Sequence, residues 1–332
     1  MSGQDPGSAR EAVTTEDAGP YRVAVVQVPP VLLDREATLA RAVEKVDEAA
    51  GAGAKLVAFP EAFVPGYPEW VWRLRPGTDF SESAEIWRRF LPQTVDLERD
   101  ELATLREAAR RRSVTITLGI NERDGSFSRA TVYNTFVIIG PDGEILLRHR
   151  KLVPTNPERM VWGAGDGVGL EAVETPLGRV GGLICWENYM PLARFALYAA
   201  GVQLYVAPTW DEGESWIASM QHIAKEGTCW VLGCGNVMRG SDVPADLPLR
   251  ADLYPDAEEW INPGDSVIVA PGGAIVAGPL HEADGILYAD CDPAVASAAH
   301  RALDVAGHYS RPDVFHLTID RSPRRQIETD TG

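Results

Sequence analysis

The chain has 332 residues, 45% of them hydrophobic, enough to bury the core of one large α/β domain. Lys plus Arg number 31 against 48 Asp plus Glu, a formal charge of −17. That balance repels phosphate arrays, so nucleic acid and anionic membrane surfaces are excluded as partners and a small neutral or cationic molecule fits better.

Residues 1 to 20 are polar and lack the basic start and apolar core of a signal peptide; they are expected to be a disordered tail. Val23 to Val28 is a buried strand by its β-branched run. Asp34 is placed to cap a helix whose apolar positions Leu39, Val43, Val46 and Ala50 recur at helical spacing. Leu56 to Phe59 is the next strand, which makes a β-α-β unit that ends at Pro60-Glu61. An aromatic stretch with Pro65, Gly66 and Pro68 follows, too rich in breakers for regular structure. Leu97 to Arg112 reads as a second amphipathic helix, and Val114 to Leu118 as a strand.

Val132 to Ile139 and Glu144 to His149 form a hairpin about Gly140-Pro141-Asp142-Gly143, and the second strand runs into Arg150-Lys151. Thr155 to Gly169 is a loop or short helix. Strands follow at Val180 to Cys185, Leu204 to Ala207 and Trp230 to Cys234, with helices at Pro191 to Ala200 and Ser215 to Gly227 between them. A hairpin at Val267 to Ala277, a strand at Ile286 to Ala289 and a helix at Pro293 to Leu303 complete the pattern before a polar tail at 318 to 332. The longest uncharged stretch, Phe195 to Trp210, falls short of the roughly 20 residues a membrane span needs. Helices alternating with strands, interrupted by two hairpins and by no linker, imply one domain over 21 to 317 with two mixed sheets and outer helices.

Four cysteines, Cys185, Cys229, Cys234 and Cys291, form no C-x-x-C pair and are too sparse for a disulfide framework. Free thiols and a cytoplasmic location are expected. Cys229 and Cys234, even with His222 nearby, read as core residues rather than metal ligands. Cys185 is different: it ends an apolar run and is followed by Trp186, Glu187 and Asn188. Glu61, Lys151, Glu158 and Cys185 all stand at strand ends or just beyond, where ligands lie in α/β folds. A buried carboxylate can take the proton of a thiol, and a lysine can hold the anion formed by attack on a C≡N or C=O carbon. Each residue alone has a plainer reading. Cys185 suits a core thiol, Glu61 a solvated loop, Lys151 an exposed hairpin edge, and Thr155-x-x-Glu158 a capping box.

Phe59-Pro60-Glu61, His149-Arg150-Lys151-Leu152 with Pro154-Thr155, and Cys185-Trp186-Glu187-Asn188 resemble the three signature segments of the nitrilase (carbon-nitrogen hydrolase) superfamily, in order and spacing. Phe63 to Pro68 and Gly307 to Phe315 are similar to the nitrilase branch within it. The resemblance implies a four-layer α-β-β-α sandwich of two mixed sheets flanked by helices. It also implies homo-oligomers built from dimers, which in this branch extend into spirals. It implies hydrolysis of a small-molecule nitrile to the carboxylic acid and ammonia through a cysteine thioimidate and thioester, with no metal or organic cofactor. By the same resemblance Cys185 is the nucleophile, Glu61 the general base, Lys151 the anion stabiliser and Glu158 an orienting group, with the Trp186 backbone N–H sharing the anion site. Tyr67, Trp162 and Asn188 are expected with Trp186 around the substrate, although Glu187 and Asn188 also suit the turn after the nucleophile. An amidase or a cyanide hydratase or dihydratase of the same superfamily is the alternative, and a non-catalytic scaffold a more distant one.

Overall fold

The computed structural model describes residues 19–125 and 128–324; most of the tail expected at 1–20, and the end of the one expected at 318–332, lie outside the described residues. The first half runs β1 (Tyr21–Gln27), α1 (Arg35–Gly51), β2 (Ala54–Ala58), α2 (Phe80–Phe90), α3 (Ala103–Arg112), β3 (Thr115–Arg123), β4 (Val132–Ile139) and β5 (Ile145–Arg150). The second half runs β6 (Val173–Thr175), β7 (Gly178–Gly182), α4 (Pro191–Ala199), β8 (Leu204–Thr209), α5 (Gly213–Glu226), β9 (Trp230–Gly235) and β10 (Val237–Arg239). It continues through α6 (Arg250–Leu253), β11 (Trp260–Val269), β12 (Ile275–His281), β13 (Gly285–Cys291) and α7 (Pro293–His300).

These strands make two mixed sheets. One has the order β13-β1-β2-β3-β4-β5, the other β10-β11-β9-β8-β7-β6 with β12 on β11. Each sheet has three parallel strands at its centre, β1-β2-β3 and β7-β8-β9, with antiparallel partners on both sides.

The central strands β1, β2, β8 and β9 are largely apolar because both faces of each sheet are covered there. Val23 and Val25 of β1, Leu56 and Ala58 of β2, Leu204 and Val206 of β8 and Leu232 of β9 form one cluster between the sheets. The alternate residues of the first sheet, Ala24, Val26 and Val57, meet Leu39, Ala42 and Val46 of α1 and Leu105 and Ala109 of α3. Those of the second, Tyr205, Ala207 and Val231, meet Leu197 of α4 and Trp216, Met220 and Ile223 of α5. The result is the expected four-layer order of helices, sheet, sheet, helices. Asp34 caps α1 as its position predicts, its carboxylate accepting the Ala37 N–H at 2.9 Å.

Two readings of the chain change. The helix expected from Leu97 to Arg112 splits, because Asp100 adopts a left-handed conformation (φ 54°) and α3 begins only at Ala103. α2 was not anticipated; it buries Ile86 and Phe90, one turn apart, in a cluster with Tyr67, Trp70 and Trp162.

One glycine sets the approach of the first functional loop. A Cβ on Gly119 of β3 would lie 2.3 Å from the Pro60 carbonyl oxygen and 2.4 Å from the Ala62 nitrogen. Gly119→Ala is expected to cost about 1–3 kcal/mol of stability, the scale of an overpacked core, and to push the Glu61 turn off the sheet. Urea unfolding of the variant measures the first effect and kcat/KM the second; an unchanged midpoint would contradict the close approach.

Candidate active site

Three chain turns converge at one end of the sheets. β2 runs through Phe59-Pro60 into a turn in which Glu61 is followed by Ala62 at φ 48°. The Asn121 amide on β3 pins this turn by donating to the carbonyls of Ala62, Val64 and Gly66 at 3.0–3.3 Å. β5 delivers Lys151, whose backbone N–H donates to the Asn134 carbonyl of β4 at 2.8 Å. The strand expected to end at Cys185 stops at Gly182; Leu183 and Ile184 carry the chain to Cys185, which opens a short helical turn over Cys185–Tyr189. Cys185 itself is left-handed, at φ 52°. A non-glycine residue in that conformation costs on the order of 1–3 kcal/mol and persists only where its surroundings enforce it.

The four side chains expected to act together meet. The Lys151 Nζ lies 2.9 Å from Glu61 Oε1 and 2.8 Å from Glu158 Oε2. The Cys185 sulfur and one carboxylate oxygen each of Glu61 and Glu158 all lie within 4.8 Å of one another. All four residues are buried. Glu61 is further held by the Asn134 amide at 2.6 Å and the Trp210 backbone N–H at 2.7 Å. Glu158 does two things at once. It closes the capping box with Thr155, accepting that residue's backbone N–H at 2.6 Å, and it binds Lys151 through the same oxygen. A cation is thus already supplied among these anionic groups by the lysine.

Burial pushes the Cys185 thiol up, and the neighbouring Glu61 charge adds to this; the Lys151 ammonium and the Thr209 hydroxyl pull the other way without overcoming it. A thiol whose ionisation is disfavoured in this way needs a base to become a nucleophile. Burial also raises Glu61 above the ordinary carboxylate range, against the opposing pull of Lys151. A carboxylate raised in this way is a better proton acceptor near neutral pH. Burial disfavours the Lys151 ammonium, but the Glu61 and Glu158 carboxylates outweigh it and hold the proton on the amine above its usual range.

Cys185 and Glu158 open onto a cleft of about 230 Å³ walled by Tyr67, Trp72, Thr155, Trp186, Trp210, Asp211, Glu212, Ile261 and Asn262. Glu61 and Lys151 stand behind this first layer. A groove of about 770 Å³ elsewhere, between Pro30–Leu32 and residues 241–255, is larger but contains none of the four. Tyr67 stacks on Trp210 at 4.1 Å and donates its hydroxyl to Glu158 Oε1 at 2.7 Å.

A family model described as carbon-nitrogen hydrolase matches residues 22–301. The chain belongs to the carbon-nitrogen hydrolase family. This hydrolase is 41% identical to an aliphatic nitrilase of Sinorhizobium fredii over 93% of its own length and 98% of the relative's. It is 40% identical to a bifunctional nitrilase/nitrile hydratase of Lupinus angustifolius over 94% and 89% of the two chains. Its fold is shared with Saccharomyces cerevisiae Nit3, a member of branch 10 of the nitrilase superfamily, at a TM-score of 0.65 and 21% identity, covering 90% and 98% of the chains.

Of the residues expected around the substrate, Tyr67 and Trp186 of this hydrolase do line the cleft. Trp162 does not: it lies behind Tyr67, edge-on at 5.5 Å, and donates its ring N–H to Asn121. Asn188 turns away too. Its amide donates to the Leu183 and Cys185 carbonyls and accepts the Tyr205 hydroxyl, so it supports the turn that holds the sulfur. Trp72 and Trp210 also wall the cleft. Asn134 was missed; its signal is its position in β4, directly across the ladder from Lys151. Cys229 and Cys234 belong to different clusters on opposite faces of the second sheet, as expected of core residues.

Tyr67→Phe keeps the ring and removes two hydrogen bonds, the one to the buried Glu158 carboxylate, worth about 1.5–3 kcal/mol, and the one accepted from the Trp72 ring N–H. The expected outcome is a loss of roughly ten- to hundredfold in kcat/KM, checked by steady-state kinetics on the folded variant.

Proposed function

We propose that this chain is a nitrilase that converts a nitrile and two waters to the carboxylic acid and ammonia, with Cys185, Glu61, Lys151 and Glu158 as its working groups. One observation carries the assignment of roles: a buried thiol, two carboxylates and an ammonium share one site at the head of an aromatic cleft. Nitrilases about 40% identical over nearly the whole chain support the substrate class.

The steps follow from the groups present. Glu61 takes the Cys185 proton as the sulfur adds to the nitrile carbon, and the nitrogen receives a proton, giving a thioimidate. Lys151 and the Trp186 backbone N–H stabilise the negative charge that develops. Water adds, ammonia leaves, and a thioester remains. A second water, activated by Glu61, releases the acid and restores the thiol. Glu158 fixes the lysine between the two carboxylates. If the tetrahedral species expels sulfur before ammonia, the product is the amide; the lupin relative's two named activities make this second product worth measuring.

The acting unit is the domain from 21 to 317. Assembly into homo-oligomers and a cytoplasmic location belong to the same proposal. Among the described residues no helix is long and apolar enough to cross a membrane.

Ammonia release and product identity over a panel of aliphatic, aromatic and arylacetonitriles, each beside its amide, test the assignment. Acid and ammonia in equal amounts from nitriles, with the amides untouched, are expected. Turnover of the amides alone would make the chain an amidase.

A further inference from the structure

His149 and Glu187 take no part in the steps above, yet they are a fully enclosed polar pair beside the site. They are 0% and 1% exposed, and the His149 Nε2 lies 3.0 and 3.2 Å from the two Glu187 oxygens. Glu187 Oε1 accepts the backbone N–H of Leu152, the residue after Lys151, at 2.6 Å. Its Oε2 accepts the backbone N–H of Ile184, the residue before Cys185, at 2.8 Å. Lys151 comes from the first sheet and Cys185 from the second. One carboxylate therefore ties the neighbour of the lysine to the neighbour of the sulfur, across the gap between the sheets.

We infer that His149 and Glu187 form a positioning strap that sets the Lys151-to-Cys185 separation, with the histidine Nε2–H fixing the carboxylate that both backbone N–H groups share. The inference rests on the reading of Lys151 and Cys185 as anion donor and nucleophile. The anion of Glu187 suits the role: burial opposes it, but His149 and the two backbone donors hold the carboxyl below its ordinary range. The His149 Nδ1 has no partner among the described residues, so the ring's one polar contact there is the strap itself. A carboxylate oxygen can accept from each of these donors, whereas a glutamine must turn its NH₂ toward one of them.

Glu187→Gln, His149→Phe and His149→Gln separate a positioning role from a packing one. Glu187→Gln and His149→Phe are expected to lower kcat by at least thirtyfold with KM within threefold, because the cleft walls are untouched. His149→Gln, which keeps an N–H at the Nε2 position, is expected to recover at least tenfold over His149→Phe. Equal activity of the two histidine variants, or a wild-type kcat in a folded Glu187→Gln, overturns the strap. If Glu187→Gln does not accumulate folded, the comparison of His149→Gln with His149→Phe decides alone, and if His149→Phe also fails to fold, His149→Gln must still keep a kcat within tenfold of wild type or the strap is wrong. Amide hydrogen exchange in the wild-type chain gives a readout independent of turnover. The Leu152 and Ile184 amides should be strongly protected and become less so together in any folded strap variant, even if no nitrile is hydrolysed and the reading of the reaction fails; unprotected amides in the wild type contradict the strap itself.

Discussion

Replacing Cys185 by alanine is expected to lower nitrile hydrolysis by roughly 10⁴-fold or more, the scale seen when a covalent nucleophile is removed. No other group in the cleft can take its place. Cys229, Cys234 and Cys291 are buried and line no part of the cleft, and the Tyr67 hydroxyl, bonded to Glu158, is held far above its normal range by burial and by Glu158. The same change should leave stability within about 1 kcal/mol, because it removes one atom at the wall of a cleft and no ion pair. Far-UV circular dichroism and urea unfolding check the second half of this expectation, and an ammonia assay the first. A variant that hydrolyses nitriles at near wild-type rate would end the covalent mechanism.

Lys151→Ala is expected to be costly twice over. Loss of an anion donor in a dry site lowers kcat/KM by about 10²–10³-fold, or roughly 3–4 kcal/mol. Loss of the ammonium also leaves Glu61 and Glu158 facing each other while buried, and breaking a buried ion pair from one side costs about 3–5 kcal/mol of stability. The sign with pH follows from Glu61. Its carboxyl is already raised in the folded chain, mainly by burial, and Lys151 is the chief opposing influence. Without the lysine it rises further. The folded variant then holds a proton that the unfolded chain gives up, so its stability falls as pH climbs from the ordinary carboxylate value through the raised one. The deficit against wild type, measured by urea unfolding, should therefore be larger at pH 8 than at pH 5. A deficit that shrinks as pH rises, or a change under tenfold in kcat/KM, would show that Lys151 does not balance these carboxylates.

The three signature segments were legible because each combines a local pattern with a strand end. Pro60-Glu61 follows an apolar run, Lys151 follows a hairpin whose turn residues are unmistakable, and Cys185 interrupts an apolar run with polar residues. The sheets were legible for the same reason, since strands covered on both faces read as unbroken apolar runs. What stayed hidden depends on direction rather than pattern. Trp162, Tyr67, Trp72 and Trp210 are similar in sequence context, and only the stacking of Tyr67 on Trp210 and the Trp162 bond to Asn121 decide which of them face the cleft. Asn188 could have pointed into the site or back into its turn; its bonds to the Leu183 and Cys185 carbonyls hold it in the turn. α2 was overlooked because it buries only Ile86 and Phe90, too few positions to make a helical stripe. The double role of Glu158 reconciles its two sequence readings, because capping uses the backbone N–H of Thr155 while the same carboxylate meets Lys151.

The account stands on one sulfur at the mouth of one cleft. Treatment with iodoacetamide, followed by peptide mapping and activity measurement at each extent of labelling, tests it most directly. The predicted result is that activity disappears in proportion to one carbamidomethyl group per chain on Cys185, and that a nitrile substrate slows both together. Full activity in a chain whose Cys185 is completely alkylated, or inactivation that tracks Cys229, Cys234 or Cys291, would contradict it.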